Sequence, residues 1–424
     1  MSGLGWIDPV MAMRGLFGMF VLLLIAWGFG ERGHGNDPRH IPWRTVGAGL
    51  VLQAVLALVL LRFPPASRAL LLLNRAALAL QQATDQGTAF VFGYLGGGTL
   101  PFVETAPGAS FILAFKILPL VLVISALSAL LYHWGVLQAV TRGFAWVLQR
   151  SMGISGALAL GAAVHIYVGM IEAPLLIRPY LSRMQRGELF AVMSCGMAGV
   201  AGTVMVVYAT FLAPVIPDAL SNILIASVIS TPAALAVAAL MVPFGPGEDR
   251  AEISIEERAT GAFDALVRGT KDGIGPLVGI VTVLLVTVAL VALVNMGLGQ
   301  LPGSITLQGL FAFLFRPVMW LIGIPWGECA EAATLMGTKT ALNEFVAYLD
   351  LAKLPEGALG PQARLIVTYS LCGFANFGSL GILVGGLSAM IPERRREITA
   401  LGLRSIISGT IATCLSGAVA GLLG

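Results

Sequence analysis

The sequence predicts an all-α polytopic membrane protein, and three observations lead to this fold class. Apolar residues make up 57% of the 424 residues and charged residues only 11%, and the mean hydropathy is +0.88. Soluble domains carry about 25% charged residues, so most of the outer surface here must face lipid. Several charge-free runs are also about 20 residues long, the length of a helix that crosses a bilayer core.

The charge balance and the cysteines narrow the class of protein further. The net charge of +3 arises from 25 basic and 22 acidic residues, which is too balanced for a nucleic-acid-binding protein. The four cysteines stand in apolar stretches without paired spacing, so we expect reduced packing residues rather than disulfides or a zinc site. No small-residue cleavage site follows the first apolar run, which favours a first span over a signal peptide.

Eight runs predict membrane-spanning helices. They lie at about 11–30, 45–62, 110–134, 189–217, 219–247, 273–298, 365–392 and 398–423. Two further regions, 140–186 and 305–352, are long enough to enter the membrane but are interrupted by charge, proline and glycine. Two segments, 67–86 and 248–272, have the pattern of helices that lie at the membrane surface.

Arginine placement predicts the orientation of the chain. Three consecutive arginines at 394–396 stand between the last two spans, and cytoplasmic loops carry an excess of basic residues. Arginines after the first and third spans and before the fourth fall on the same side, so eight spans place both termini outside the plasma membrane. Three arginines would lie outside and so disagree with this orientation: Arg62, Arg68 and Arg75. We expect the surface helix at 67–86 to weaken the charge rule at this place.

An internal repeat is the most informative feature of the sequence. Residues 195–202 align without gaps to residues 372–379, and upstream of each copy an interrupted region carries a glutamate, Glu172 or Glu344, followed by a Tyr-Leu pair. The copies lie in the fourth and seventh predicted spans, which run in opposite directions, so the sequence predicts an inverted repeat. Chance similarity among glycine-rich membrane helices is the alternative, but it does not explain the shared order.

Interrupted helices in an inverted repeat predict a central binding site. Broken helices expose N–H and C=O groups, which are tolerated at membrane depth only where protein, water or a ligand satisfies them, and secondary transporters place their substrate sites at such breaks. Charged residues at this depth are costly and typically functional, which favours a binding role for Glu172 and Glu344. Structural ion pairs with Arg178 and Lys339 are the alternative.

An enzyme or a channel fits the pattern less well. The four histidines are scattered without a His-Glu-x-x-His motif, so no nucleophile with a base and no set of metal ligands can be assembled. A channel needs a continuous polar stripe or filter, whereas the polar residues here cluster at two hairpin tips and two helix breaks. A closed site with alternating access fits better.

The motifs resemble those of the concentrative nucleoside transporters. The matching stretches lie at 169–180, 188–193, 335–340, 343–348 and 372–379. The resemblance implies a homotrimer of eight-helix protomers, each with two re-entrant hairpins and two broken helices, that imports nucleosides with an ion gradient and without a cofactor.

The same plan divides the chain into four parts, each with its own task. We expect peripheral helices with an interfacial helix, a scaffold helix with the first transport repeat, a cytoplasmic interfacial segment, and a second scaffold helix with the second repeat. The parts are, in order, 1–110, 111–247, 248–272 and 273–424.

The resemblance also implies which residues bind substrate. Glu344, Asn376 and Ser379 would hold the ribose hydroxyls, because a carboxylate accepts from vicinal hydroxyls and Asn and Ser supply donors and acceptors one turn apart. Phe374 would face the base. On the first hairpin, Glu172 would contact the base edge or a bound proton.

Two departures from the family pattern concern the base and the coupling ion. Met170 and Ile171 stand where a glutamine and a small hydroxyl residue usually read the base, so base recognition is looser, shifted to other residues or directed at a different base. This departure keeps a carrier of another ribose-containing compound as an alternative.

At the sodium site of the family, Asn and Ser side chains are replaced by His165 and Gly199, with carbonyls expected from Val168 and Val200. The replacements remove two oxygen ligands, and an imidazole suits reversible protonation. We therefore expect proton coupling, with His165 or Glu172 as the carrier. The alternatives are a sodium-coupled symporter that uses other oxygens and, for His165, a packing role.

Overall fold

The computed structural model describes residues 9–31, 41–104, 110–245, 259–303 and 305–424. Within these residues the regular structure is helical and contains no strand, which confirms the predicted all-α class. The α-helices of the described part are α1 (Pro9–Gly28), α2 (Trp43–Arg62), α3 (Pro64–Phe92), α4 (Leu113–Lys116), α5 (Leu120–His133), α6 (Val136–Met152), α7 (Gly156–Val164), α8 (Glu172–Leu176), α9 (Arg178–Leu181), α10 (Arg186–Ala198), α11 (Gly202–Leu212), α12 (Ala219–Met241), α13 (Ala262–Asp272), α14 (Ile274–Leu298), α15 (Leu307–Leu321), α16 (Cys329–Ala341), α17 (Glu344–Lys353), α18 (Pro361–Leu371), α19 (Phe377–Met390) and α20 (Arg395–Leu423).

Six helical segments of the described chain are long and apolar enough to cross a membrane. They are Trp43–Arg62, Leu113–His133, Arg186–Leu212, Ala219–Met241, Ala262–Leu298 and Pro392–Leu423. The two remaining predicted spans correspond to shorter apolar helices, Ala12–Gly28 and Phe377–Met390. The chain is therefore a multi-pass membrane protein. The predicted spans 189–217 and 365–392 are each divided by a break, between α10 and α11 and between α18 and α19.

The first predicted surface segment, 67–86, forms a helix that is longer than expected. α3 begins directly after α2 because prolines at its first positions need no donor there, and it ends at Gly93, which has a φ of 61°. Ser221 Oγ at the start of α12 donates to Leu70 O at 3.1 Å, and Asn74 Nδ2 donates to Asp218 Oδ1 at 2.8 Å. These bonds attach α3 to α12.

The second predicted surface segment is only partly described. Its residues 248–258 lie outside the described residues, and the rest forms α13. α13 packs closely on α5, since a Cβ atom added at Gly269 would lie 2.7 Å from Ser125 O. The glycine therefore permits an approach that any other residue would prevent.

The helices fall into two halves with the same order of elements. From α6 to α12, and again from α15 to α20, a first helix is followed by a hairpin, then by two helices separated by a break, and finally by a long helix. The two hairpins are α7 with α8 and α9, and α16 with α17. The repeat seen in the sequence is thus a repeat of whole structural elements.

One charged cluster joins the loop after α1 to the beginnings of α10 and α20. Arg186 donates to both oxygens of Glu31, from Nε at 2.9 Å and from Nη2 at 2.6 Å, and Arg404 Nη1 donates to Glu31 Oε1 at 3.2 Å. Arg186 also lies 3.4 Å from Glu397, which pairs with Arg394 Nε at 2.7 Å. Three loops predicted to share one side of the membrane therefore meet.

The arginines act on the charge of Glu31. The hydrogen bond from Arg186 is the main reason that the pKa of Glu31 lies below its usual value, and the charges of Arg186 and Arg404 lower the pKa further against partial burial. A carboxyl group with a lowered pKa in the folded state stabilises the fold above its unfolded-state pKa, and this stability is lost as the pH falls through the folded-state pKa. The predicted basic positions Arg32 and Arg39 lie outside the described residues.

We expect Glu31→Gln to lower the free energy of unfolding by about 1 kcal/mol at pH 7, because solvent screens this partly exposed pair. The difference from the wild type should shrink as the pH falls below about 4.3, the usual pKa of a glutamate. Thermal unfolding of the purified protein in detergent at several pH values measures both effects. Glu393→Gln is the matched control, since Glu393 is exposed on the neighbouring turn; an equal loss in both variants would contradict the role of the cluster.

Candidate functional site

The two helix breaks contact each other. Phe374 N, in the break between α18 and α19, donates to Gly199 O, in the break between α10 and α11, at 3.2 Å. A Cβ atom added at Gly373 would lie 2.8 Å from Met197 O, so a glycine is needed at this crossing. One break therefore supplies the hydrogen-bond donor for a carbonyl of the other, and the two repeats meet at their unwound segments.

The second break leaves two helical carbonyls of α18 without their usual donors. Because Phe374 N bonds to the other break, Ser370 O instead accepts from Lys339 Nζ at 2.7 Å. Thr368 O accepts from Tyr348 Oη at 2.9 Å. Both donors come from the second hairpin, so α16 and α17 are fixed against the unwound end of α18.

Glu344 is the central charged group of the second hairpin. It is the first residue of α17 and is 4% exposed, and the positive end of the helix dipole favours a carboxylate there. Its Oε1 accepts from Tyr208 Oη at 2.7 Å, and its Oε2 accepts from Asn376 Nδ2 at 2.9 Å. The carboxylate therefore links α17 to a helix of the first repeat and to the second break.

Asn376 has two tasks at the start of α19. Its Oδ1 accepts from Ser379 N at 2.7 Å and caps the helix, while its Nδ2 donates to Glu344. Ser379 is buried and Phe374 is half-buried, two residues before the cap. The three residues predicted for the ribose are thus joined by one carboxylate and one helix cap, and Phe374, predicted for the base, lies nearby in the same break.

The first hairpin is packed by the apolar pair that departs from the family pattern. Met170 Cβ would lie 3.3 Å from a Cβ atom at Gly196, and the Ile171 side chain lies directly against Gly386 of α19. Glu172, the first residue of α8, is exposed. Among the described residues it makes no hydrogen bond or ion pair, so no direct contact joins it to Glu344.

Neither of the ion pairs considered from the sequence forms within 4 Å in the described structure. Lys339 donates to neutral oxygens, and the oxygens of Glu344 accept from Tyr208 and Asn376. Arg178 is exposed and is not paired with Glu172. The two glutamates are therefore not held by direct contact with basic side chains.

The predicted coupling-ion residues lie just after α7 and in the first break. His165 ends α7, is 3% exposed, and its Nε2 has no hydrogen-bond partner in the described part of the chain. A Cβ atom added at Gly199 would lie 3.5 Å from His165 O, 3.6 Å from Cys195 O and 3.6 Å from Ser227 Oγ. Two further residues are predicted to offer carbonyls: Val168, which is half-buried, and Val200, which is buried.

Three oxygen atoms thus lie around the Cβ position of Gly199, whereas the His165 imidazole lies beside Gly196, with its Cε1 3.4 Å from a Cβ atom added there. A buried imidazole nitrogen without a partner is available to a proton or to a water molecule. The described residues contain no group of three or more His, Cys, Asp or Glu side chains that would hold a metal ion. Any cation at this position would therefore depend on backbone and hydroxyl oxygens.

Sequence reasoning did not identify Tyr208 as a site residue. A tyrosine within an apolar span carries no local signal, and its role depends on α11 lying across the second hairpin. Its ring packs against Phe345 at 5.8 Å and Tyr348 at 4.9 Å between ring centroids. Tyr348 belongs to the repeated Tyr-Leu pair, so its recurrence was the only available signal for this aromatic group.

Comparison with known proteins covers almost the whole chain. Residues 17–95 match the N-terminal model and residues 222–421 the C-terminal model of the Na+ dependent nucleoside transporters, and residues 114–215 match a "nucleoside recognition" gate model. The chain is 35% identical over 97% of both chains to an uncharacterized transporter of Haemophilus influenzae. It is 33% identical to the putative nucleoside permease NupX of Escherichia coli, over 96% of this chain and 98% of that one.

Mammalian and structural relatives agree with these matches. The mouse sodium/nucleoside cotransporter 1 is 34% identical over 96% of this chain and 62% of its own length. The structure of CNTnw in an inward-facing substrate-bound state superposes with a TM-score of 0.88 at 35% identity and covers 98% of each chain. A CNTnw variant in an outward-facing state gives a TM-score of 0.87 at 35% identity, again over 98% of each chain. The chain belongs to the concentrative nucleoside transporter family.

Proposed function

We propose that this protein imports nucleosides across a bacterial inner membrane by alternating access, in symport with protons. The observation that supports the substrate is the position of Glu344, a buried carboxylate held between α11 of the first repeat and the second helix break. Carboxylate oxygens have about four acceptor sites between them, and Tyr208 and Asn376 use two. The others remain for the vicinal hydroxyls of a ribose.

The cap of α19 completes the proposed ribose site. Asn376 and Ser379 lie one helical turn apart at the start of α19, and both are buried. Half-helix ends of this kind are where secondary transporters bind polar substrates. Phe374, half-buried in the same break, offers a ring face to the base.

Base selectivity is proposed to be broad. Met170 and Ile171 pack against glycines of α10 and α19 and have no group that hydrogen-bonds a base edge. The base would be held by apolar contact and stacking, which every nucleobase provides. The same apolar pair would also fit a carrier of another ribose-containing compound, and the uptake test below distinguishes the two substrate classes.

Proton coupling is proposed from the chemistry of His165 and Gly199. The buried Nε2 of His165 has no partner among the described residues, and Gly199 contributes no side-chain oxygen. Sodium coupling is the second candidate, because three oxygens lie around the Cβ position of Gly199 and similar mammalian proteins are sodium/nucleoside cotransporters by name.

The orientation and assembly are proposed on the same basis. The cluster of Arg186, Arg394 and Arg404 gathers basic loops on one side, which the positive-inside rule assigns to the cytoplasm, with both termini outside. We propose that the two repeats are inverted and alternate between inward-facing and outward-facing states, as CNTnw does. The most apolar stretch of Ala262–Leu298 is almost entirely unburied within the chain. We propose that this helix contacts lipid or the neighbouring protomers of a homotrimer.

We expect uptake of radiolabelled nucleosides into proteoliposomes that is driven by an acidic exterior without sodium. A panel of purine and pyrimidine nucleosides should show less than about tenfold variation in KM, equivalent to about 1.4 kcal/mol, because Met170 and Ile171 offer no hydrogen bond that distinguishes one base edge from another. Strict sodium dependence at constant pH would contradict proton coupling. Uptake of other ribose compounds but of no nucleoside would contradict nucleosides as the substrate class.

We expect Glu344→Gln to reduce nucleoside uptake by at least about 100-fold, because an amide cannot accept from both ribose hydroxyls and Asn376 at once. Tyr208→Phe should reduce uptake by about 3–10-fold, since it removes one donor and keeps the ring packing. The same uptake assay, with size-exclusion profiles as the folding control, distinguishes the two. Near-normal uptake by Glu344→Gln would remove the ribose assignment.

We expect His165→Asn with Gly199→Ser to introduce sodium-stimulated uptake and to weaken proton stimulation. The serine side chain fits, because its Cβ would meet only ordinary van der Waals distances of 3.5 Å or more. Gly202→Ser is the negative control, since its Cβ would lie 2.8 Å from Tyr167 O and clash. Unchanged ion dependence in a folded double variant would show that the coupling ion binds elsewhere.

A further inference from the structure

Lys339 is a fully buried cation that the proposed transport chemistry does not yet use. It lies in the last turn of α16, five residues before Glu344, and is 0% exposed. Its Nζ donates to Ser370 O at 2.7 Å and to Thr413 Oγ1 at 3.2 Å. Both partners are neutral, so these bonds hold the ammonium without cancelling its charge.

The opposite charge on the same hairpin is Glu344. Both side chains hold the same break, since Lys339 donates to Ser370 before it and Glu344 accepts from Asn376 after it, but the two do not form an ion pair. The carboxylate oxygens accept from Tyr208 and Asn376, which are also neutral. The other ionisable groups near the pair are two thiols and a phenol: Cys372, Cys414 and Tyr348.

We propose that Lys339 is the fixed counter-charge of Glu344, so that the buried hairpin presents a balanced pair of charges beside the proposed ribose site. The role in ribose binding rests on the proposed function, whereas the balance of charge between Lys339 and Glu344 does not. An isolated charge at membrane depth is expensive, whereas two opposite charges a short distance apart in a medium of low dielectric stabilise each other. Without direct pairing to the lysine, the carboxylate oxygens of Glu344 bond instead to Tyr208 of α11 and to Asn376 of the second break.

The alternative is that Lys339 serves only as a hydrogen-bond donor to Ser370 O, which the end of α18 leaves without its helical donor. The two roles differ in what happens when Glu344 is also neutralised. If Lys339 balances charge, then removing it alone strands a buried carboxylate, and removing both charges is less damaging. If it is only a brace, the effects of the two substitutions add.

The experiment is a double-mutant cycle on the purified full-length protein in detergent, with Lys339→Met, Glu344→Gln and the double variant. We expect the double variant to melt at a higher temperature than Lys339→Met alone. Thr413→Val is the matched control, because it removes one bond of the ammonium and keeps its charge; adding Glu344→Gln to it should bring no recovery.

Additive melting-temperature losses would overturn the proposal, as would a recovery of equal size in the Thr413→Val background. If Lys339→Met does not fold, the yield of monodisperse protein replaces the melting temperature. A double variant that is equally depleted then contradicts the charge balance. The cycle needs no substrate, so a positive cycle without uptake of any nucleoside would reject the proposed function and retain the charge pair.

Discussion

The structure depends on satisfying the backbone groups that two broken helices leave free inside the membrane. Lipid offers no hydrogen bonds, so each of these groups needs a protein partner or a ligand. The breaks solve part of the problem together, through the bond from Phe374 N to Gly199 O. The second hairpin supplies much of the rest, because Lys339 and Tyr348 donate to Ser370 O and Thr368 O. The site is therefore built by the same contacts that make the breaks possible.

This constraint also explains why the polar side chains converge. Asn343 and Asn376 each cap the helix that follows, by accepting from Val346 N and Ser379 N, so in the second repeat a polar residue stands at the start of both helices. While Asn376 caps α19 through its oxygen, its Nδ2 donates to Glu344 Oε2. The cap of α19 and the partner of the buried carboxylate are then the same residue, and it cannot be altered for one purpose alone.

The sequence predicts the helices well where apolar runs alone decide them, as in α12 and α14. The repeat locates the breaks because Cys, Gly and Ala recur at matching positions of 195–202 and 372–379. It does not predict the ends of α3, where consecutive prolines start the helix earlier than its apolar pattern begins. It also cannot identify Tyr208 as the partner of Glu344, because 136 residues separate them and the contact exists only after α11 crosses the second hairpin. The division of the chain into four functional parts stays a prediction.

The two halves of the site differ in how completely their polar groups are satisfied. Glu344 has a partner for each oxygen, whereas the Nε2 of His165 has none among the described residues. A buried polar group without a partner costs about 1–3 kcal/mol, so the His165 side favours whatever species can bond to that nitrogen. A ligand at Glu344, in contrast, would have to compete with or add to bonds that already exist there. The two halves therefore differ in what they offer: the His165 side has a nitrogen with no partner among the described residues, and the Glu344 side has a carboxylate that is already held.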